Sequence, residues 1–158
     1  MTSANVTLQS SNATKDTREL VSTRRLLWAA PLAAVLAAAL NLGVLAIAVA
    51  LGAVLSGFPL LNPGSVIGSS VVGVILGAVV FALLARLTRH PVRTFRIVAV
   101  IALLLSFATP LMAATGRMPD ADTVTVGTVA TMLLMHVVAA GVAVTILPAL
   151  TREHGVGR

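Results

Sequence analysis

The chain has 158 residues, of which 58% are hydrophobic and only 10% charged, and its mean hydropathy is +1.01. A soluble domain carries about 25% charged residues, so this composition cannot cover a water-facing surface and leaves no length for a separate soluble domain. The net charge of +6 does not point to nucleic acid, because the arginines flank apolar runs and a single Trp without any Tyr offers little to stack on bases, while zero Cys removes disulfides, thiolate metal sites and thiol nucleophiles.

Residues 1–23 are rich in Ser, Thr and Asn without apolar periodicity and read as a disordered cytoplasmic tail. Asn5-Val6-Thr7 and Asn12-Ala13-Thr14 fit the glycosylation pattern, which on a cytoplasmic tail is a chance match. Four runs without Asp, Glu, Lys or Arg follow. The first, Leu26 to Leu55, opens with Arg24, Arg25 and Trp28, an amphipathic ring and snorkelling cations at a membrane edge. It is far longer than the roughly 7 to 15 residues of a signal-peptide core and lacks a small-x-small cleavage site, so it reads as an uncleaved anchor. Pro31 is expected in its first turns, where a missing N–H costs least. At about 30 residues it exceeds the roughly 20 that cross hydrocarbon, so it should tilt, bend near Gly43 or Gly52, or project beyond the bilayer.

The connection Ser56 to Ser65 is uncharged and dense in turn residues. Asn62 followed by Pro63 suits an N-cap and first helical position, with Ser65 as the competing cap. The second span is predicted over Val66 to Leu87, and Pro91 should end or interrupt the helix within the basic segment Arg86, Arg89, His90, Arg93, Arg96. The third covers Thr94 to Ala114, with Pro110 kinking its last turns. Asp120 and Asp122 precede the fourth span, Val124 to Leu150, where a carboxylate can cap the helix and oppose its dipole. Residues 151–158 form a short polar tail.

Ten of the eleven Lys and Arg residues lie in the amino tail, the middle connection and the carboxyl tail, and only Arg117 lies in the other two loops. The positive-inside rule then places both termini and the middle loop in the cytoplasm. Arg86, Arg89, Arg93 and Arg96 set this orientation and can touch anionic lipid headgroups, with docking of a partner as the alternative.

Ser69, Gly73 and Gly77 recur at intervals of four, so they share one ridge of the second helix and let another backbone approach closely. Packing against a neighbouring span of the same chain is the simpler reading, and homo-oligomerisation through this face is the other. The sharper candidates are polar groups inside the spans. At 1.5 Å per residue, Asn41 lies roughly 20 Å from the cytoplasmic end of its span, His136 roughly 18 Å from the outer end of its own, and Ser106 about 15 Å along the third. Asn41, His136 and Ser106 are therefore expected near the midplane, facing the bundle interior and sharing hydrogen bonds, because polar groups in hydrocarbon need partners. A polar clasp is one reading. A site for a proton, ion or small ligand is the other, since intramembrane ionisable residues mark pathways and binding sites. No second intramembrane His, Cys or carboxylate completes a coordination sphere, so neither metal nor haem is expected. The acids, Asp16, Glu19, Asp120, Asp122 and Glu153, all lie in tails or the outer loop, which leaves no paired carboxylates and no Ser-His-Asp set within the spans.

The stretches Arg24 to Ala48, Arg89 to Ala113 and Leu133 to Leu150, anchored on Asn41, the turn Arg-His-Pro-Val-Arg-Thr-Phe (Arg89 to Phe95), Ser106 to Leu111, and Leu134-Met135-His136, resemble a family of small, uncharacterised actinobacterial four-span membrane proteins, a domain of unknown function. The resemblance implies the four-span architecture and no known activity. The reading is thus an all-α, four-helix transmembrane bundle over residues 24–150 in the plasma membrane, N-in and C-in, without cofactor and not an enzyme, acting as a structural or interaction component. The alternative is a small-solute or proton pathway using the polar site around His136 and Asn41. A cavity joining His136 to the outer face through Thr131, Thr128 and Thr109 would favour the alternative, and dry, close packing around His136 the first.

Overall fold

A computed structural model describes residues 21–54, 58–117 and 124–152. Among these residues the chain is all-helical: α1 (Thr23–Ala50), a single 3-10 turn (Pro59–Leu61), α2 (Pro63–Leu87), α3 (Pro91–Ser106), α4 (Ala108–Ala114) and α5 (Val126–Thr151). α3 and α4 follow one another as a single span, Pro91–Ala114, so four apolar spans of 24 to 28 residues are long enough to cross a membrane. At 1.5 Å per residue they reach about 36 to 42 Å, beyond the roughly 30 Å of hydrocarbon. Large apolar side chains cover the outside, with Trp28 80% and Leu105 71% exposed. Water would not tolerate that surface, and lipid does; the four apolar helices fit a multi-pass membrane protein.

Local chemistry explains where each helix starts and stops. α1 begins at Thr23, ahead of the expected Leu26, so Pro31 falls inside the helix rather than in its first turns. It ends at Ala50 rather than running on to Leu55. Gly52 adopts φ +67, and its N–H donates to the Val49 carbonyl while that of Ala53 donates back to Ala48 at 2.9 Å. That crossed pair satisfies the last free carbonyls and turns the chain away. α4 ends the same way at Gly116, φ +71, with Gly116 N–H on Ala113 and Arg117 N–H on Met112.

Asn62 caps α2 by accepting from the Ser65 N–H at 2.9 Å, with Pro63 in the first turn, and Ser65 Oγ joins the same cap rather than competing for it. Pro91 opens α3, ahead of the expected Thr94. Pro110 has no N–H to offer the Ser106 carbonyl, and the helix is interrupted at Phe107 between α3 and α4. Thr125 caps α5 through a reciprocal pair of bonds with Thr128. Asp120 and Asp122, expected as caps there, lie outside the described residues, as do residues 1–20 and 153–158.

α1 is the hub. Its buried stripe is almost all alanine, Ala29, Ala30, Ala33, Ala34, Ala37 and Ala38, which brings the backbones of α2 and α5 close on either side. Around it lie two apolar clusters. One, toward the end of the bundle where α1 starts and α5 stops, gathers Ala29, Ala30, Ala33, Ala34 and Ala37 with Val74, Ala78, Phe81, Phe95, Val142 and Leu147. The other, toward the opposite end, gathers Leu45, Ala48, Phe58, Val66, Met132 and Met135. The start of α1 meets the end of α5: Ser22 N–H donates to the Thr151 carbonyl at 3.0 Å, in an antiparallel bridge between Val21 and Arg152. The helix directions thus collect Arg24, Arg25, Arg86, Arg89, Arg93, Arg96 and Arg152 at one end of the bundle. Of the described cations only Arg117 is at the other.

Candidate functional site

Asn41 is the one polar residue on the buried stripe of α1. It sits between the two apolar clusters and its Nδ2 donates to Ser70 Oγ of α2 at 2.9 Å; Ser70 in turn donates to the Val66 carbonyl at 2.7 Å. Both side chains are 3% exposed. The Asn41 Oδ1 is the one buried side-chain polar atom, among the described residues, without a hydrogen-bond partner. An orphaned amide oxygen inside a membrane protein is costly, and it marks the place where a donor would be most welcome.

His136, half-buried on α5, holds Nδ1 2.7 Å from the Met132 carbonyl of its own helix. A carbonyl only accepts, so the proton sits on Nδ1, and in the neutral ring Nε2 is left as an acceptor. Ser106 closes α3, its Oγ donating to the Leu103 carbonyl at 2.7 Å. Thus the hydrogen bonds that the structure shows for Asn41, His136 and Ser106 each go elsewhere, to Ser70 and to main-chain carbonyls. The clasp joins the first span to the second.

What brings the three together is space. Asn41, Ser106 and His136 line one cavity of about 630 Å³ between α2, α3 and α5. It arises because the third span is pinned only at its ends. Pro91, Val92 and Phe95 are buried at one end, where the Phe95 ring lies 4.8 Å from that of Phe81, and Pro110 and Ala113 are buried at the other. Between Phe95 and Pro110 no residue is fully buried. The span stands like an arch, and the cavity lies beneath it. Only 11% of its most apolar stretch is buried, against 39% for α1.

The Ser69, Gly73, Gly77 ridge of α2 lines this cavity. A Cβ added at Gly73 would meet nothing within 4 Å, and one at Gly77 would make an ordinary contact of 3.8 Å with Ala143. α1 docks instead on the adjacent ridge, Val66, Ser70, Val74 and Ala78. Thr109 also lines the cavity, whereas Thr131 and Thr128 do not: Thr131 donates to the Gly127 carbonyl and Thr128 belongs to the cap of α5. Arg86, Arg89, Arg93 and Arg96 are exposed at the end of the bundle that carries the chain ends.

Three functional features escaped sequence reasoning. Ser70 was readable as the lone polar member of an apolar i, i+4 row, Val66, Ser70, Val74, Ala78. The alanine stripe of α1 repeats at the same interval. Gly127 is the third: a Cβ there would press on the Ala53 carbonyl, 2.9 Å from its carbon, so only glycine lets α5 start where it does. Among the described residues no three His, Cys, Asp or Glu side chains gather as a metal site would require. The arrangement offers hydrogen-bond acceptors in an apolar enclosure.

Residues 21–154 match a family of unknown function, DUF6069. The chain belongs to that family. The matched region takes in all four spans, the tie between Ser22 and Thr151, and every anchor of the resemblance from Arg24 to Leu150, so the DUF6069 domain in this chain is the bundle together with its cavity. No curated protein and no solved structure matches the chain.

Proposed function

We propose that this DUF6069 member is a non-enzymatic component of the plasma membrane, with both termini in the cytoplasm, that acts as an interaction protein by binding within the bilayer. The observation that carries this reading is the arch: α1 packed between α2 and α5, beside a third span that leaves about 630 Å³ of mostly apolar space. Mostly apolar cavities of this size with a few convergent polar groups are the usual form of a small-molecule site. The gathering of cations at one end supports the orientation, because positive loops stay in the cytoplasm. Arg86, Arg89, Arg93 and Arg96 then lie at the depth of anionic headgroups. Against catalysis stands the lining itself, which among the described residues offers an amide, hydroxyls and one imidazole, with no carboxylate and no nucleophile paired to a base.

The test is purification of the full chain in mild detergent and native mass measurement. A protein carrying a bound apolar molecule is expected. A chain that stays ligand-free while lipids survive on other membrane proteins in the same preparation would overturn the binding reading; the same spectra report whether copies associate through α2. Reporter fusions after Arg158 and beside Arg117 check the orientation, and activity on the outside only for the first would reverse it.

A solute or proton pathway has one observation in its favour, the presence of His136 and Thr109 on the same cavity. A continuous polar line to the far end is what it needs, and Thr131 and Thr128 lie off that line with their hydroxyls engaged. Flux in proteoliposomes that is lost in His136→Ala would establish this reading over the first.

A further inference from the structure

We infer that the cavity takes a long-chain molecule with an uncharged, proton-donating headgroup, a fatty alcohol in the simplest case, with its hydroxyl at the level of Asn41 and His136. This rests on the binding role proposed above and names the chemistry of the occupant.

Four facts lead to it. First, most of the polar lining has used its own protons, the Thr109 hydroxyl and the second amide proton of Asn41 excepted. Ser65, Ser69, Ser70 and Ser106 each donate to a main-chain carbonyl, and His136 Nδ1 does the same. What remains unpaired is mainly lone pairs: the Oδ1 of Asn41, buried in the wall of the cavity so that a ligand reaches it only with a small shift of the amide, and the Nε2 of His136 when its ring is neutral. A ligand that brings a donor completes this set; one that brings only acceptors does not.

Second, charge has no counterpart among the described residues that line the cavity: none of them is Asp, Glu, Arg or Lys. A carboxylate or ammonium headgroup would enter hydrocarbon unpaired, at a cost that a hydroxyl avoids.

Third, the polarity is graded along the cavity. By a rise of 1.5 Å per residue, Ser70, Asn41, Ser106 and His136 all lie about 10 to 15 Å from the ends of their spans at the far side of the bundle. The lining on the other side of that level is apolar, through Gly77 and Val80 to Phe95 near the opposite end. A headgroup at one level and a chain running toward Phe95 match that order.

Fourth, the entrance faces lipid. Ser69, Gly73 and Leu76 of α2 and Ala102 of α3 line the cavity and are exposed, which opens it sideways between these two helices. A molecule already dissolved in the bilayer can enter without crossing water.

The test measures equilibrium binding to the purified full-length chain in mild detergent, at matched mole fractions, of hexadecanol, hexadecyl methyl ether and hexadecanoate. The ether keeps the oxygen and loses the proton. Hexadecanol is expected to bind about tenfold or more tightly than the ether, the size of one well-placed hydrogen bond, and H136L and N41L, each checked for helicity and monodispersity, should bring the two ligands level. Equal binding of alcohol and ether overturns the inference and leaves the binding role standing, as does preference for hexadecanoate, which would make the lining a donor. Discrimination that persists in both variants also overturns it. If none of the three binds, the inference and the binding role fall together.

Discussion

α2 has two faces, and they behave oppositely. The row Val66, Ser70, Val74, Ala78 is buried along its length, Val74 and Ala78 against the alanines of α1 and Ser70 against Asn41, while the row Ser69, Gly73, Gly77, made of smaller residues still, borders open space. Small residues permit close approach between membrane helices but do not compel it, because lipid gives neither face a hydrophobic reason to close. What decides is the partner. α1 brings a complementary alanine stripe and a polar anchor at Asn41, whereas α3 brings exposed leucines and is held only at its two ends.

Substitutions along α2 and its partners should separate these faces. Phe81→Ala is expected to have the largest effect, about 3 to 5 kcal/mol, since Phe81 is fully buried where the tight core meets the pinned end of the arch. Unfolding in mild detergent by denaturant titration measures it. Next comes Ala37→Leu, which forces a large side chain between helices at a position with no exposure and should cost about 1 to 3 kcal/mol. Ser70→Ala removes the partner of Asn41 and should cost about 0.6 to 2 kcal/mol; a double-mutant cycle with Asn41→Leu should show that the two losses are not additive. Gly73→Leu should change stability by less than about 0.5 kcal/mol, since nothing stands in its way. A collapse of the fold in Gly73→Leu would mean that α3 closes on this face, and the contrast between the two faces would fail.

How much of this was legible beforehand differs with the kind of signal. The four spans follow from where charge is absent, because a charge in hydrocarbon is too costly to be misplaced. The cap at Asn62 and the break before Pro110 follow from single residues with strict backbone demands. Helix faces were another matter. Residues toward lipid and residues toward protein are both apolar, so the periodicity that would reveal a buried face in water is nearly silent. That is why Asn41 could be placed inside its span but its bond to Ser70 could not be foreseen, and why the space beside the Ser69, Gly73, Gly77 ridge could not be read from its small residues. The stop of α1 at Ala50 was within reach: Gly52 was noted as a bend, and it is a helix terminator. The cavity had no signature in the chain, since it comes from what α3 fails to touch.

The hydrogen bond from Ser22 to Thr151 has a consequence for biogenesis. α1 is sheathed by α2 on one side and by α5 on the other, and these two neighbours are made at very different times. The hairpin of α1 and α2 can form as soon as the second span is inserted, with the other alanine flank of α1 still facing lipid or an insertion chaperone. That flank can be covered only once α5 has been made, so the bond from Ser22 to Thr151 cannot close before the last span is in place.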